Sequence, residues 1–283
     1  MRARSVVPVR PFGVSSWVGN SETLAQALRI IAKAGFFYIE IWADQVHLDP
    51  RNISEDVEHI HEVLHDLNLS VCSMHLPCTG IRIDDPNKSV NRSSIHLLKR
   101  ALKSCSYVGG EIAVMHPSSR ESGVDQETFE TYRMNLEGSI KELLLYAKEL
   151  NVKLALENVP NSSGRRFCSS MAHLKGLVEE INDQYLGLCL DTSHCLLNRL
   201  DLSSEVKQCA GHLLTIHASD GDGHEDRHWI PTKGVLNWDR FLADLKSIDY
   251  QGMFMLEVAG QGNAYRVLKE VRTVTENLLK KHA

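Results

Sequence analysis

One pattern repeats from end to end of the chain: a short apolar run, a polar turn, then a stretch whose apolar residues recur with helical period. Residues 9–15, 36–42, 69–74, 112–115, 152–156, 186–190, 213–216 and 253–256 read as buried strands, each too short for a helix and dominated by aliphatic or aromatic side chains. Residues 23–34, 54–67, 89–108, 126–150, 170–181, 203–210, 238–248 and 264–281 read as helices. Asn20-Ser21-Glu22 supplies a polar start to the first helix and Gly35 stops it, while Ser54 can cap the second.

Eight strand-helix units fill the chain with no linker, low-complexity segment or charge run between them. A strand followed by a helix and a further strand is the unit of a parallel sheet, and eight such units close most simply into a barrel. The expectation is therefore an α/β protein, a single (β/α)8 barrel domain spanning residues 1–283. The competitor is an open doubly wound sheet, which would carry a glycine-rich phosphate turn after its first strand. GVSSWVGN is not such a turn.

In a (β/α)8 barrel every strand C-terminus opens on one face, so residues ending the strands converge there. Here they are His75, His116, Glu157, Asp191, His217 and Glu257. Taken singly, a glutamate after a strand is more often a helix cap or ion-pair partner, and a histidine in an apolar context more often a hydrogen-bonded core residue, than a ligand. Their joint placement points instead to a metal centre or proton-transfer site. His194 follows Asp191 by three residues, in CLDTSH, and can reach the same mouth. The polar loop within residues 216–234, IHASDGDGHEDRHWIPTKG, adds His224, Asp226 and His228.

Other residues carry less. His59, His61 and His65 fall on one predicted outer helix, where solvation explains them. Trp17 and Trp42 could stack on a sugar, Trp229 could form part of a lid, and Glu40 is expected with Trp42 at the barrel mouth. Lys233, Arg165 and Arg166 could meet a substrate phosphate.

Composition narrows the classes. No apolar run approaches the roughly 18 residues of a membrane span, and the start, MRARSVVPVRPFG, lacks the apolar segment of a secretory signal. Seven scattered cysteines without a C-x-x-C pair suit a reducing, cytoplasmic setting. A formal charge of −5 argues against a nucleic-acid surface. Nucleotide loop, Ser-His-Asp order and cysteine nucleophile are all missing.

VMHPSS, LALENVP, CLDTSH, IHASD followed by DRHWIPTKG, and FMLEV resemble the motifs of the xylose isomerase-like TIM-barrel superfamily, which includes sugar and sugar-phosphate isomerases and epimerases and endonuclease IV. The similarity runs over residues 14–257. In the sugar-epimerase branch it implies one divalent metal, usually manganese with zinc, cobalt or magnesium as alternatives, held by the residues matching Glu157, Asp191, His217 and Glu257. The metal would grip vicinal sugar oxygens, while Glu157 and Glu257 exchange a proton with the substrate through an enediolate. In the endonuclease IV branch it implies three zinc ions, with ligands matching His75, His116, Glu157, Asp191, His194, His217, Asp226, His228 and Glu257.

The sugar branch fits better. ADQVHLDPRN, after the second strand, has little positive charge for phosphates, and FFYIEIW resembles the sugar enzymes. Pro231-Thr232-Lys233-Gly234 departs from the P-G-x-G often found in the family. The expected protein is a metal-dependent isomerase or epimerase of a keto sugar, sugar phosphate or related polyol, with Glu157 and Glu257 as paired acid/base groups. The alternative is a zinc phosphodiesterase acting on abasic DNA, and a third reading is a silent sugar-binding barrel. The expected partner is a small sugar, with association into homo-oligomers through the outer helices.

Overall fold

The structure, a computed structural model, describes residues 10–51, 56–117, 126–161 and 167–282. Eight strands, β1 (Phe12–Ser15), β2 (Tyr38–Trp42), β3 (Ser70–His75), β4 (Ile112–Met115), β5 (Lys153–Glu157), β6 (Leu186–Asp191), β7 (Leu213–Ala218) and β8 (Met253–Leu256), pair in parallel in chain order. β8 then pairs with β1, Val14 beside Leu256, and the barrel is closed. Around it run α1 (Leu24–Ala34), α2 (Val57–Asp66), α3 (Lys88–Tyr107), α4 (Gln126–Glu149), α5 (Met171–Ile181), α6 (Thr192–Leu197), α7 (Leu202–Gln208), α8 (Trp238–Ser247) and α9 (Ala264–Lys281). The expected (β/α)8 barrel is the fold this chain adopts. No described helix is long and apolar enough to cross a membrane.

Local chemistry explains where the elements begin and end. The Thr23 hydroxyl accepts the Gln26 N–H while Gln26 Oε1 accepts the Thr23 N–H, so two of the free donors at the start of α1 are satisfied reciprocally. The helix stops at Gly35, whose φ of 92° is the left-handed conformation that glycine adopts without a Cβ clash. Val9, Ser54, Arg165 and Arg166 lie outside the described residues. The described start of α2 is capped by Asp56, which accepts the Glu58 N–H at 2.9 Å.

One helix is not expected from the periodicity. α6 follows β6 with no intervening turn, because Asp191 serves as its N-cap and accepts the His194 N–H at 2.7 Å. Six residues are too few to show a helical period.

The apolar core lies mainly between barrel and helices, where Ile41, Met74 and Leu154 meet Leu28, Leu102 and Leu143. Burying each such side chain contributes roughly 1.5–3 kcal/mol. That layer stabilises a barrel whose interior is polar near the strand C-termini.

Candidate metal centre

The strand ends do converge. Glu157 closes β5, Asp191 closes β6, His217 lies one residue before the end of β7, and Glu257 follows β8. Asp191 and His217 are register partners on neighbouring strands. One donor atom from each of Glu157, Asp191, His217 and Glu257 lies within 4.8 Å of all the others. His217 Nδ1 stands 3.2 Å from Glu157 Oε1 and 3.1 Å from Glu257 Oε2. All four residues are buried.

Three further groups share its residues, one of them Glu157, Cys189 and His217. His75 Nε2 and His116 Nε2 approach Glu157 Oε2 at 3.2 and 3.5 Å, and the three form one donor group. Asp191, His194 and His228 form another. Asp226 bridges its two histidines, 3.4 Å from His194 Nε2 and 3.1 Å from His228 Nε2. Every residue expected as a ligand therefore stands at the mouth. His224 does not join them: it is exposed, and its backbone N–H donates to Asp222.

Backbone carbonyls orient most of the rings. His75 Nδ1 is 2.8 Å from the Leu76 oxygen, His194 Nδ1 is 2.7 Å from that of Asn158, and His228 Nδ1 is 3.0 Å from that of Glu257. A carbonyl can only accept, so each Nδ1 holds a proton and each Nε2 faces the carboxylates. A bare Nε2 lone pair cannot sit 3.2 Å from Glu157 Oε2 without a proton or cation between them. His217 is turned the other way, with Nδ1 toward the carboxylates and Nε2 3.1 Å from Glu40 Oε2.

The electrostatics describe a site built around positive charge. Burial favours neutral histidines, but contact with Glu157 and the charges of Glu257 and Glu40 outweigh it at His75, raising its pKa to about 9. His228 is likewise raised to about 9, against burial, by Asp226, Asp191 and Glu257. Burial pushes Asp191 up to about 7, with His194 and His228 pulling the other way. At Glu157 and Glu257 burial also pushes upward, but neighbouring histidines, His217 foremost, hold both below the ordinary carboxylate value. Glu157 Oε2 and Asp191 Oδ2 are buried without a hydrogen bond. Carboxylates with unsatisfied oxygens beside oriented imidazoles are a donor set that fits a divalent cation.

The residue model of the xylose isomerase-like TIM barrel family matches residues 28–278. The chain belongs to that family. Within it, the chain is similar to a probable ketose 3-epimerase of Synechocystis sp., at 26% identity over 261 residues, 88% of this chain and 84% of that one. It is also similar to a probable endonuclease 4 of Mycoplasma capricolum, at 25% identity over 199 residues, 65% of this chain and 66% of that one. The crystal structure of a D-tagatose 3-epimerase-like protein superimposes with a TM-score of 0.79 at 22% identity, covering 94% of this chain and 98% of that one. That last likeness is one of fold.

Several supporting residues in this member of the xylose isomerase-like family are not apparent from strand-end positions. The Asn158 side chain accepts the Asp191 N–H at 2.7 Å and donates to the Asp191 oxygen at 3.0 Å. Ser193 donates to Asp226 at 3.0 Å. Asn158 follows Glu157 directly, and that adjacency is the one signal that could have singled it out. Trp17 stands edge-on to His228 with ring centroids 5.0 Å apart, while Trp42 is buried at the end of β2 and Trp229 is half-buried. Lys233 pairs with Glu270 at 2.9 Å, and His59, His61 and His65 are exposed on α2.

Proposed function

We propose that the chain is a divalent-metal-dependent isomerase or epimerase acting on a keto sugar, sugar phosphate or related polyol. The observation that carries this reading is the approach of Glu157 and Glu257 to one point, each within 3.2 Å of His217 Nδ1, from β5 and from the end of β8. Glu157, Asp191, His217 and Glu257 would hold the ion, with manganese expected first. When bound, it would hold adjacent substrate oxygens and polarise a carbonyl, making the neighbouring C–H more acidic.

The chain's own residues then exchange the proton. The surrounding histidines hold both Glu157 and Glu257 below the ordinary carboxylate value, so either can serve as the base. Reaching the substrate from separate strands, the ionised one takes the proton from carbon and an enediolate forms; the other, which has first taken a proton from solvent, gives it to the opposite face, so the pair carries one proton before and after the turnover. Their burial excludes bulk water that would otherwise compete for that proton.

The test is metal content per chain after purification without chelator, followed by deuterium exchange from solvent into a panel of ketoses. About one equivalent of manganese, cobalt or magnesium with exchange at a carbon next to the carbonyl supports the reading. Absence of exchange across ketoses and their phosphates, with metal bound, would sink it.

A second reading has its own observation. The groups His75–His116–Glu157 and Asp191–His194–His228 each share a carboxylate with the central one, and Asp226 lies between the last two histidines. This donor set suits three zinc ions and phosphodiester hydrolysis, in which activated water attacks and the leaving oxygen is stabilised. Near-three zinc stoichiometry and cleavage of a duplex containing an abasic site would favour it over the sugar reading.

A further inference from the structure

Inside the barrel, beneath the central donor group, lies another carboxylate. Glu40, on β2, is fully buried, and so is His217. Glu40 Oε2 accepts the Ser73 hydroxyl at 2.7 Å and stands 3.1 Å from His217 Nε2. Its other oxygen is buried without a hydrogen bond. Among the described residues, His217 is the ion-pair partner of Glu40.

A carboxylate at this depth is expensive unless something compensates it, and an apolar side chain would fill the barrel at lower cost. What distinguishes Glu40 is its direction. An ionised carboxylate only accepts, so it holds a proton on Nε2 of His217. The nitrogen that surrenders its proton is therefore Nδ1, which already lies between Glu157 and Glu257. His75, His194 and His228 are oriented by neutral carbonyls, whereas His217 faces a carboxylate, a stronger acceptor that makes the imidazole a better electron donor.

We propose that Glu40 is a positioning residue that fixes His217 in the Nε2–H tautomer, making Nδ1 the metal-binding nitrogen, and that Ser73 steadies Glu40 in this role. The inference rests on the metal centre described under Proposed function and extends it inward by one layer of the barrel.

The experiment measures divalent-metal affinity of the full chain by chelator competition, using Mn²⁺ and Zn²⁺ as probes, for wild type, Glu40→Gln and Glu40→Ala. Loss of a carboxylate behind a ligating histidine weakens binding by about 10–100-fold. Glu40→Gln keeps an acceptor without the charge and falls near the lower end, while Glu40→Ala falls near the upper. Nitrogen-15 spectra of the Zn²⁺-loaded, histidine-labelled protein give a readout independent of affinity and turnover. The His217 ring, assigned by its disappearance in His217→Asn, shows protonated Nε2 and metal-bound Nδ1 in wild type, and loses that single-tautomer signature in Glu40→Ala.

Folded Glu40→Gln and Glu40→Ala variants with wild-type affinity and an unchanged His217 signature would overturn the role of Glu40 while leaving the metal centre standing. A wild-type chain that takes up neither ion would overturn the metal centre itself, and this inference with it.

Discussion

Asp220 Oδ2 accepts the indole N–H of Trp238 at 2.8 Å, tying the residue just beyond β7 to the start of α8. The same carboxylate accepts the backbone N–H groups of Gly221, Thr232 and Leu236 at 2.9, 3.0 and 3.1 Å. It is fully buried. The loop that presents Asp226 and His228 is thus wound around a single side chain. Asp220→Ala strands four donors, three of them buried, and at about 1–3 kcal/mol for each unsatisfied buried group, partly relieved by water, a loss of about 3–5 kcal/mol is expected. Urea unfolding measures it. An unchanged midpoint would mean that the loop holds its shape without Asp220.

Gly234 packs directly on that carboxylate. A Cβ at this position would collide with Asp220 Oδ1 and the Gly221 carbonyl, and would stand 2.6 Å from Gly221 N. Gly234→Ala must therefore push the loop off Asp220, at a cost of about 1–3 kcal/mol from overpacking alone. Because both changes break one network, the double variant with Asp220→Ala should lose less than the sum of the singles. Strict additivity in the same unfolding assay would separate the two residues.

Periodicity and strand-end position reveal the barrel and the mouth residues for one reason: both depend on alternation that survives in the one-dimensional pattern. His75, Glu157, Asp191, His217 and Glu257 are legible as the first strongly polar residues after apolar runs. Glu40 is not a strand-end residue; the resemblance of FFYIEIW places it with Trp42 at the mouth, and its buried side chain lies against His217. Asn158 and Asp220 stay hidden because their roles consist of hydrogen bonds, to the Asp191 backbone 33 residues on for Asn158 and to donors along the following loop for Asp220, that leave no period in the sequence. α6 stays hidden because a single capped turn after Asp191 has no period to detect.

A second carboxylate latch makes stability depend on acidity. Asp44 Oδ2 accepts the N–H groups of Cys78 and Thr79 at 3.0 and 2.8 Å, and Oδ1 pairs with Arg51, joining the loop after β2 to the loop after β3. Burial opposes ionisation, but those backbone donors and Arg51 outweigh it, so the Asp44 pKa is lowered. A depressed carboxylate binds its proton more readily in the unfolded chain. Its contribution is complete above the unfolded value near 3.9 and is lost as pH falls through the lower folded value. Unfolding free energy should decline in that acid window, and Asp44→Asn should flatten this part of the decline. An equally steep decline in the variant would assign it to other carboxylates.

The paired roles of Glu157 and Glu257 make a prediction that loss of activity alone does not. Each glutamine variant should keep its melting behaviour and, at saturating Mn²⁺, lose epimerisation by about 10²–10⁴-fold, the usual contribution of a positioned acid or base. If the two groups serve opposite faces of one carbon, the variants should differ in solvent exchange. Glu157→Gln should retain deuterium exchange with the epimer that Glu257 deprotonates, and Glu257→Gln with the other epimer, since each variant keeps one functioning base. Proton NMR in D₂O, starting from each epimer separately, reads this directly. Loss of exchange from both epimers in both variants would show that the carboxylates act only in holding the ion. Full turnover in either variant would remove that glutamate from the chemistry, because no other carboxylate in the central donor group replaces it except Asp191, which burial pushes up to about 7 and which already caps α6.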